Sequence, residues 1–483
     1  MNPIFEINIQ LPTKKSGDTL VDSISRQLKE NIENGSLPAD TRLPPSRKFA
    51  SQFTISRNTV LHIYDNLINE GYLYTKQGGG TYVKAPRAKK AIKPPPADYK
   101  TKLVASWQQH DLCSILLNQT QREFDFSVGK SDTSYFRFDL MRKYLAQSTH
   151  VHSKHREIDT LAKGYPPLRQ VLVNHLAISR AIVCAEEDLI LTNGAQQALD
   201  LIAKVLIKAD QTKVVIEQPG YPMAEILFRA HGAIVVPVAV DENGLMVDDI
   251  PDDTDIIYVT PSHQFPLGMS MTQERRRSLM ALADQQDMLI IEDDYDSEFR
   301  LTDDPVETLY AHAKKDNVFL VGTFSKSLIP DVHTGFIVAP EWASDALQKA
   351  KFVTDRYQHI IRQQAMHLLI EQGLMLKYLS KMRQVYQDRY QALLTACQKH
   401  SDGLIQPIPI KAGIHVTANL PEHIDAKQVA KAAAAQQVSI LSVQDICPRA
   451  TDHNALVFGL GRIEAHVIET GIERIMAVMS DAL

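Results

Sequence analysis

Apolar positions recur at helical spacing near the start of this chain and run together in short blocks further on. Between Asp22 and Glu33, Ile24, Leu28 and Ile32 lie four apart and share one helix face. Gly35 ends that helix. Pro44-Pro45-Ser46 opens a second, short helix with Phe49, Ala50 and Phe53 inward. Ser56 is placed to cap a third, from Arg57 to about Glu70, with Val60, Ile63, Tyr64, Leu67 and Ile68 as its apolar stripe. Tyr72 to Thr75 and Thr81 to Val83 read as two strands joined by Lys76-Gln77-Gly78-Gly79-Gly80. Helix, helix, turn, helix and hairpin is the order of a winged helix-turn-helix.

Past residue 112 the pattern changes. Apolar blocks such as Val214–Ile216, Ile256–Val259, Met288–Ile291 and Val318–Val321 alternate with helical segments and end in polar residues. That predicts an α/β domain with a mixed, mostly parallel sheet, and ligands of such sheets sit at the carboxyl ends of the strands. From about Phe352 the chain is rich in helix formers. It predicts a smaller C-terminal α+β lobe with strands at Gly413–Thr417 and Ala455–Phe458.

Between the two patterns lies a basic, proline-rich stretch, Ala85 to Pro96, which cannot bury apolar area. The expected organisation is a winged helix over 1–84, a linker over 85–112 and a body over 113–483. Charge sharpens the division. Residues 1–93 hold 14 basic against 8 acidic side chains, +6, while the whole chain is −5, leaving −11 for the rest. A basic head on an acidic body suits a polyanionic partner. No apolar run approaches the ~20 residues of a membrane helix. Four scattered cysteines suggest neither a disulfide scaffold nor a zinc site. With no secretory pattern at Met1–Glu6, the expected compartment is the cytoplasm, on the nucleoid when DNA is bound.

The chemistry of the head follows from groove geometry. The third helix of such a unit lies in the major groove, so Arg57, Asn58 and Thr59 face base edges, with His62 a turn later. Arginine suits guanine and asparagine suits adenine. Arg47 would hold a phosphate, and the glycine-rich tip with Gln77 and Gly78 would reach the minor groove. Leu43–Arg47, Ile55–Val60 and Glu70–Leu73 resemble the winged helix of GntR-family regulators, at the right spacings throughout. The resemblance implies DNA contacts at Arg47, Arg57, Thr59, Gln77 and Gly78.

Four constellations in the body point one way. Gly322–Ser327 places Lys326 after a buried strand among hydroxyls, where a lysine can form a Schiff base with an aldehyde cofactor and Thr323 and Ser325 can bond a phosphate. Glu292 to Asp296 offers Asp293 to a pyridine nitrogen and Tyr295 to a phenolic oxygen. Thr192 to Leu199 opens a helix with Gly194, Ala195 and Gln196, whose N–H groups suit an anion. Glu217 to Pro222 sets Tyr221 on a rigid turn, suited to stacking on a flat ring. Each alone is ordinary. Together, in this order, they resemble fold-type I aminotransferases. With Gly164–Arg169, Thr260–Pro266 and Asp293–Arg300 they resemble the MocR/GabR branch of the GntR family, in which such a domain follows a winged helix.

That resemblance implies a transcription regulator using pyridoxal phosphate on Lys326 and sensing an amine, an amino acid or the cofactor itself. It implies Asp293 at the ring nitrogen, Tyr295 at the phenolic oxygen, Tyr221 as the stacking ring and Gln264 near that oxygen. It also implies a head-to-tail homodimer with two heads on two half-sites. The chain departs from the pattern at His333, where the family has an arginine gripping the cofactor phosphate, so binding is expected to be weaker, pH-dependent or lost. Arg449 and Arg462 are the candidates to meet an effector carboxylate, with Arg449 favoured. Two other readings stay open: a working aminotransferase carrying a winged helix, and a DNA-binding protein whose body is a cofactor-free dimerisation scaffold.

Overall fold

The computed structural model describes residues 9, 19–76, 79–84, 120–150, 162–296, 298–301, 307–356, 359–450 and 452–480. The expected linker lies outside the described residues, as do Gln77 and Gly78. Contacts divide the chain into two compact units, Met1–Leu103 and Val104–Leu483.

The first unit is a winged helix. Helices α1 (Leu20–Glu33), α2 (Ser46–Phe53) and α3 (Arg57–Asn69) precede an antiparallel hairpin of β1 (Leu73–Lys76) and β2 (Gly80–Val83). The predicted stripes form its core: Ile24, Leu28, Ile32, Phe49, Val60, Ile63 and Leu67 are buried. Tyr64 reaches across to donate a hydrogen bond to the Pro44 carbonyl at 2.8 Å, fixing α3 against the turn before α2. Ser56 caps α3 by accepting from the Thr59 N–H at 3.0 Å.

The first described element of the second unit is β3 (Phe124–Asp125). It is built on an eight-stranded sheet formed by β4 (Leu189–Thr192), β5 (Lys213–Gln218), β6 (Ile234–Asp241), β7 (Gly244–Leu245), β8 (Ile256–Val259), β9 (Leu289–Asp294), β10 (Val318–Thr323) and β11 (Gly335–Val338). Their order is β4-β11-β10-β9-β8-β5-β6-β7. The five central strands β10, β9, β8, β5 and β6 run parallel, and β4, β11 and β7 pair antiparallel with their neighbours. β8 is buried throughout, as a strand covered on both faces must be. Helix α4 (Gly194–Leu206) packs on one face through Ala198, Leu199, Leu201 and Ile202.

The C-terminal lobe has a long helix α5 (Leu374–His400), a small sheet of β12 (Gln406–Pro407), β13 (His415–Asn419), β15 (Leu441–Ser442) and β16 (Ala455–Gly459), and helix α6 (Ile468–Ser480). β14 (Val438–Ser439) returns parallel to β3, tying the start of the unit to its end. Both predicted strands of this lobe are present as β13 and β16. No helix among the described residues is long and apolar enough to cross a membrane.

Candidate functional site

The carboxyl ends of β5, β8, β9 and β10 converge on one cavity of about 380 Å3. Its lining brings together Lys326, Asp293, Tyr295, Tyr221, Thr323, Ser325 and His333 with Gly194, Ala195 and Gln196. These ten were singled out from separate stretches of sequence. Val128, Gly129, Lys130, Tyr258, Phe265, Asp296 and His415 complete most of the wall.

Strand alternation sorts the acidic run at the end of β9. Glu292 is buried and accepts from the backbone N–H groups of Leu309 and Tyr310 at 3.0 and 2.9 Å. Asp294 pairs with Arg180 at 2.7 Å. Asp293 faces the cavity. Its Oδ2 accepts from the Tyr258 hydroxyl at 2.8 Å, and its Oδ1 is buried with no hydrogen-bond partner among the described residues. Burial pushes the Asp293 carboxyl up to about 7, with Asp294 and Asp296 adding to the rise and Tyr258 opposing it. Glu217 and Glu292 are also pushed up to about 7 by burial.

A carboxyl raised on folding keeps a proton that the unfolded chain would release. Its stabilising share is present below the unfolded value near 4 and is lost as pH rises through about 7. Cofactor-free protein is therefore expected to melt at a lower temperature at pH 8 than at pH 5.5. Asp293→Asn narrows that gap. An unchanged gap in thermal melts would show that Asp293 is already ionised at low pH.

The other end of the cavity is built for an anion. Helix α4 opens at Gly194, whose N-cap residue Asn193 makes no side-chain cap bond. Its first N–H groups are left for a ligand. Asn193 is instead held from outside: it donates to Asp355 at 3.1 Å and accepts from Arg362 at 3.0 Å. The Thr323 hydroxyl accepts from the Ser325 N–H at 3.3 Å. His333, at φ +37°, lies over Gly194, so that a Cβ there would sit 3.1 Å from its ring. Gly335 has a related role, since a Cβ would meet the Gly194 carbonyl carbon at 2.7 Å.

Tyr221 is steadied by the edge of Phe265, with ring centroids 5.7 Å apart, and by Gln196, which accepts from its hydroxyl at 3.4 Å. Tyr295 donates to the His263 carbonyl at 2.8 Å. Lys326 donates to the Gly129 carbonyl.

Three expected residues stand elsewhere. Gln264 does not line the cavity. Its amide is engaged in the turns around it, donating to the Pro219 and Phe265 carbonyls at 2.8 Å each and accepting from the Leu267 N–H at 3.0 Å. The neighbouring Phe265, in the turn that follows, takes the wall instead. Arg449 lines an adjoining cleft that shares Tyr221, and pairs there with Glu225 at 2.8 Å. Arg462 is exposed and is not among the cavity residues.

The sequence reading assigned no role to Tyr258, His263, Asp296 or His415. His263 stands in the Thr260–Pro266 run and Asp296 closes the acidic run, so both were in view. His415 comes from β13 in the other lobe, and only the tertiary fold brings it here.

In the head, Arg57, Asn58 and His62 are exposed along α3, and Arg47 is exposed on α2. Thr59 is half-buried, with its hydroxyl 2.8 Å from that of Ser56.

Residues 117–466 match the family described as aminotransferase class I and II, and residues 20–83 match the gntR family of bacterial regulatory proteins. Among similar proteins, the probable rhizopine catabolism regulatory protein MocR of Rhizobium meliloti is 30% identical over 458 residues, covering 92% of this chain and 91% of its own. The HTH-type pyridoxine biosynthesis transcriptional regulator PdxR of Corynebacterium glutamicum is 27% identical over 460 residues, 95% of each chain. The fold is shared with a kynurenine aminotransferase of Pyrococcus horikoshii, solved with PMP and kynurenine. The TM-score is 0.71 at 23% identity, over 80% of this chain and 99% of the other.

Proposed function

Since the chain belongs to the aminotransferase class I and II family, with a gntR-family domain at its head, we propose that it is a DNA-binding transcription regulator whose body holds pyridoxal phosphate and senses a small amine, an amino acid or the cofactor itself. One observation carries the cofactor reading. Lys326 shares a cavity with a buried carboxylate oxygen, Asp293 Oδ1, that has no partner among the described residues. A protonated pyridine nitrogen is the partner it lacks.

The residues present fit the group. Lys326 would hold its aldehyde carbon, Asp293 its ring nitrogen, Tyr295 its phenolic oxygen and Tyr221 its ring face. The N–H groups of Gly194, Ala195 and Gln196, the hydroxyls of Thr323 and Ser325, and His333 would hold its phosphate. When bound, the cofactor supplies an electrophilic carbon and an electron sink. The protein's share is to orient it, to keep a proton on the nitrogen facing Asp293 and to exclude water with Phe265 and Val128.

Sensing, not turnover, is the role assigned to the body. The retained Lys326, Asp293 and Tyr295 leave residual transamination as a measurable side reaction. An effector changes DNA affinity only as far as it favours one arrangement of the body over another. A head-to-tail homodimer in the cytoplasm would present two α3 helices to two half-sites of an operator.

The test is an absorbance spectrum with added pyridoxal phosphate, beside Lys326→Ala. A band near ~420 nm, the cofactor's own imine absorbance, is expected in the parent and absent from the variant. No lysine-dependent band would leave the body as a scaffold. For the head, Arg57→Ala is expected to weaken binding to a selected operator duplex by about 10- to 100-fold, measured by anisotropy at fixed salt. A loss equal on all sequences would make Arg57 a phosphate contact instead of a base contact.

A further inference from the structure

Behind the wall that carries Lys326 lies a cluster to which the cofactor reading gives no task. His263, Asp296 and His415 are all 2% exposed. His263 Nδ1 lies 2.9 and 3.0 Å from the two oxygens of Asp296. Asp296 also accepts from the Ile414 N–H at 3.2 Å. The His415 ring lies tilted against that of His263, with centroids 4.1 Å apart, and its Nε2 lies 3.1 Å from the Pro266 carbonyl. Asp296 and His415 reach the cavity; His263 stands behind them.

The hydrogen bonds settle where the protons are. A carboxylate only accepts, so His263 Nδ1 carries hydrogen. Among the described residues His263 Nε2 is buried without a partner. It faces Gly268, where an added Cβ would sit 3.5 Å from Nε2 and 2.9 Å from the Ile410 side chain. A second N–H there would be buried with no acceptor, which is far more costly than an unprotonated nitrogen in apolar surroundings. The ring is therefore neutral with its hydrogen on Nδ1, and Asp296 keeps the negative charge. His415 donates from Nε2 to a carbonyl, and burial beside His263 holds it well below the ordinary imidazole range, so it adds no positive charge.

We infer that His263 and Asp296 form a buried pair of net charge −1 that holds Lys326 in its ammonium form, with Asp296 as the counter-charge and His263 as its positioning residue. The titratable groups that line the cavity with Lys326 include Asp296, Asp293 and Tyr295 from the end of β9, Lys130 from the segment after β3, His415 from β13 and His333 before β11. Burial and Lys130 push the amine below the ordinary lysine range, and Asp296 acts against both. Asp293 already bonds Tyr258, which leaves Asp296 as the balancing charge. Gly413 shows how tightly the fold keeps this arrangement: a Cβ there would fall 2.0 Å from the His263 ring.

The inference deepens the reading of Lys326 given above, and is tested apart from it on full-length protein freed of carbonyl compounds. The pH dependence of Lys326 labelling by trinitrobenzenesulfonate is followed by peptide mass. Asp296→Asn is expected to lower the labelling midpoint by about one pH unit, or about tenfold in reactivity at a fixed pH below it. His263→Leu shifts it the same way, because Asp296 loses the N–H that holds its carboxylate in place. His263→Asn, whose side-chain N–H replaces that on Nδ1, restores the parent midpoint. If Asp296→Asn does not fold, the two His263 variants carry the comparison. A midpoint unmoved by Asp296→Asn, or by His263→Leu, overturns the inference. So does stoichiometric zinc binding that needs both histidines, since a metal would then take the place of the proton. Failure of the pyridoxal phosphate spectrum with a shifted labelling midpoint would sink the cofactor reading alone.

Discussion

Gly413→Ala is expected to cost about 4 kcal/mol of stability. Gly413 has φ +102°, in the region that side chains rarely adopt, and the added Cβ would lie 2.0 Å from two atoms of the His263 ring. The ring has nowhere to go. Asp296 holds it on one side, the tilted His415 ring packs against it with centroids 4.1 Å apart, and Gly268 lies beside its Nε2 edge. Relief requires breaking the His263–Asp296 bond inside an apolar surround, which adds a desolvated carboxylate to the backbone strain. Gly373→Ala is the control. Its φ is +67°, but nothing lies within 4 Å of the added carbon, so about 1 kcal/mol of strain is all it costs. Chemical denaturation of both variants checks the contrast. Equal losses would mean that His263 can move aside and that the pair is looser than its distances suggest.

The second large effect is a gain. His333→Arg is expected to tighten pyridoxal phosphate binding by about 10- to 100-fold, the worth of a charge-assisted bidentate contact of about 1.5–3 kcal/mol. His333 stands over Gly194, at the amino end of α4, where the helix N–H groups already favour an anion. Arginine adds a permanent charge and a two-pronged donor at that spot. The left-handed backbone at φ +37° burdens histidine and arginine alike, so it does not enter the difference. Equilibrium dialysis or spectral titration measures the change, with Lys326→Ala in the same background as the reference for non-covalent binding. Unchanged affinity would place the phosphate away from His333 and return the role to Thr323, Ser325 and the helix end alone.

The adjoining cleft bears on how an effector is read. Arg449 was favoured to meet a carboxylate, yet it pairs with Glu225, which also takes Arg229 at 2.9 Å. Among the described cavity residues the cations are Lys130 and Lys326. On the proposed reading, an amine effector entering by this wall would meet the charge of Asp296 as well.

Much of this protein was legible in the order of its residues. The apolar stripe of α3, the Ser56 cap and the hairpin are local, set within a few residues by spacing and capping. The same holds for the blocks that became β5, β8, β9 and β10, since strands buried on both faces read as unbroken apolar runs. Lys326, Asp293 and Tyr295 were legible because each follows such a run, where an open α/β sheet gathers its ligand groups. What the order of residues did not decide is the direction of side chains in irregular turns. Gln264 and Phe265 are adjacent, and a turn decided that the ring faces the cavity and the amide faces inward. Nor did it decide which charges meet. His415 lies about 150 residues from His263, and only the packing of the second lobe on the sheet brings the rings together. Asp294 and Asp293 read alike on paper; the alternation of β9 gave one to Arg180 and the other to the cavity. Periodicity and capping act over one or two turns of chain, whereas burial, orphaned acceptors and counter-charges are properties of neighbours that the fold alone supplies.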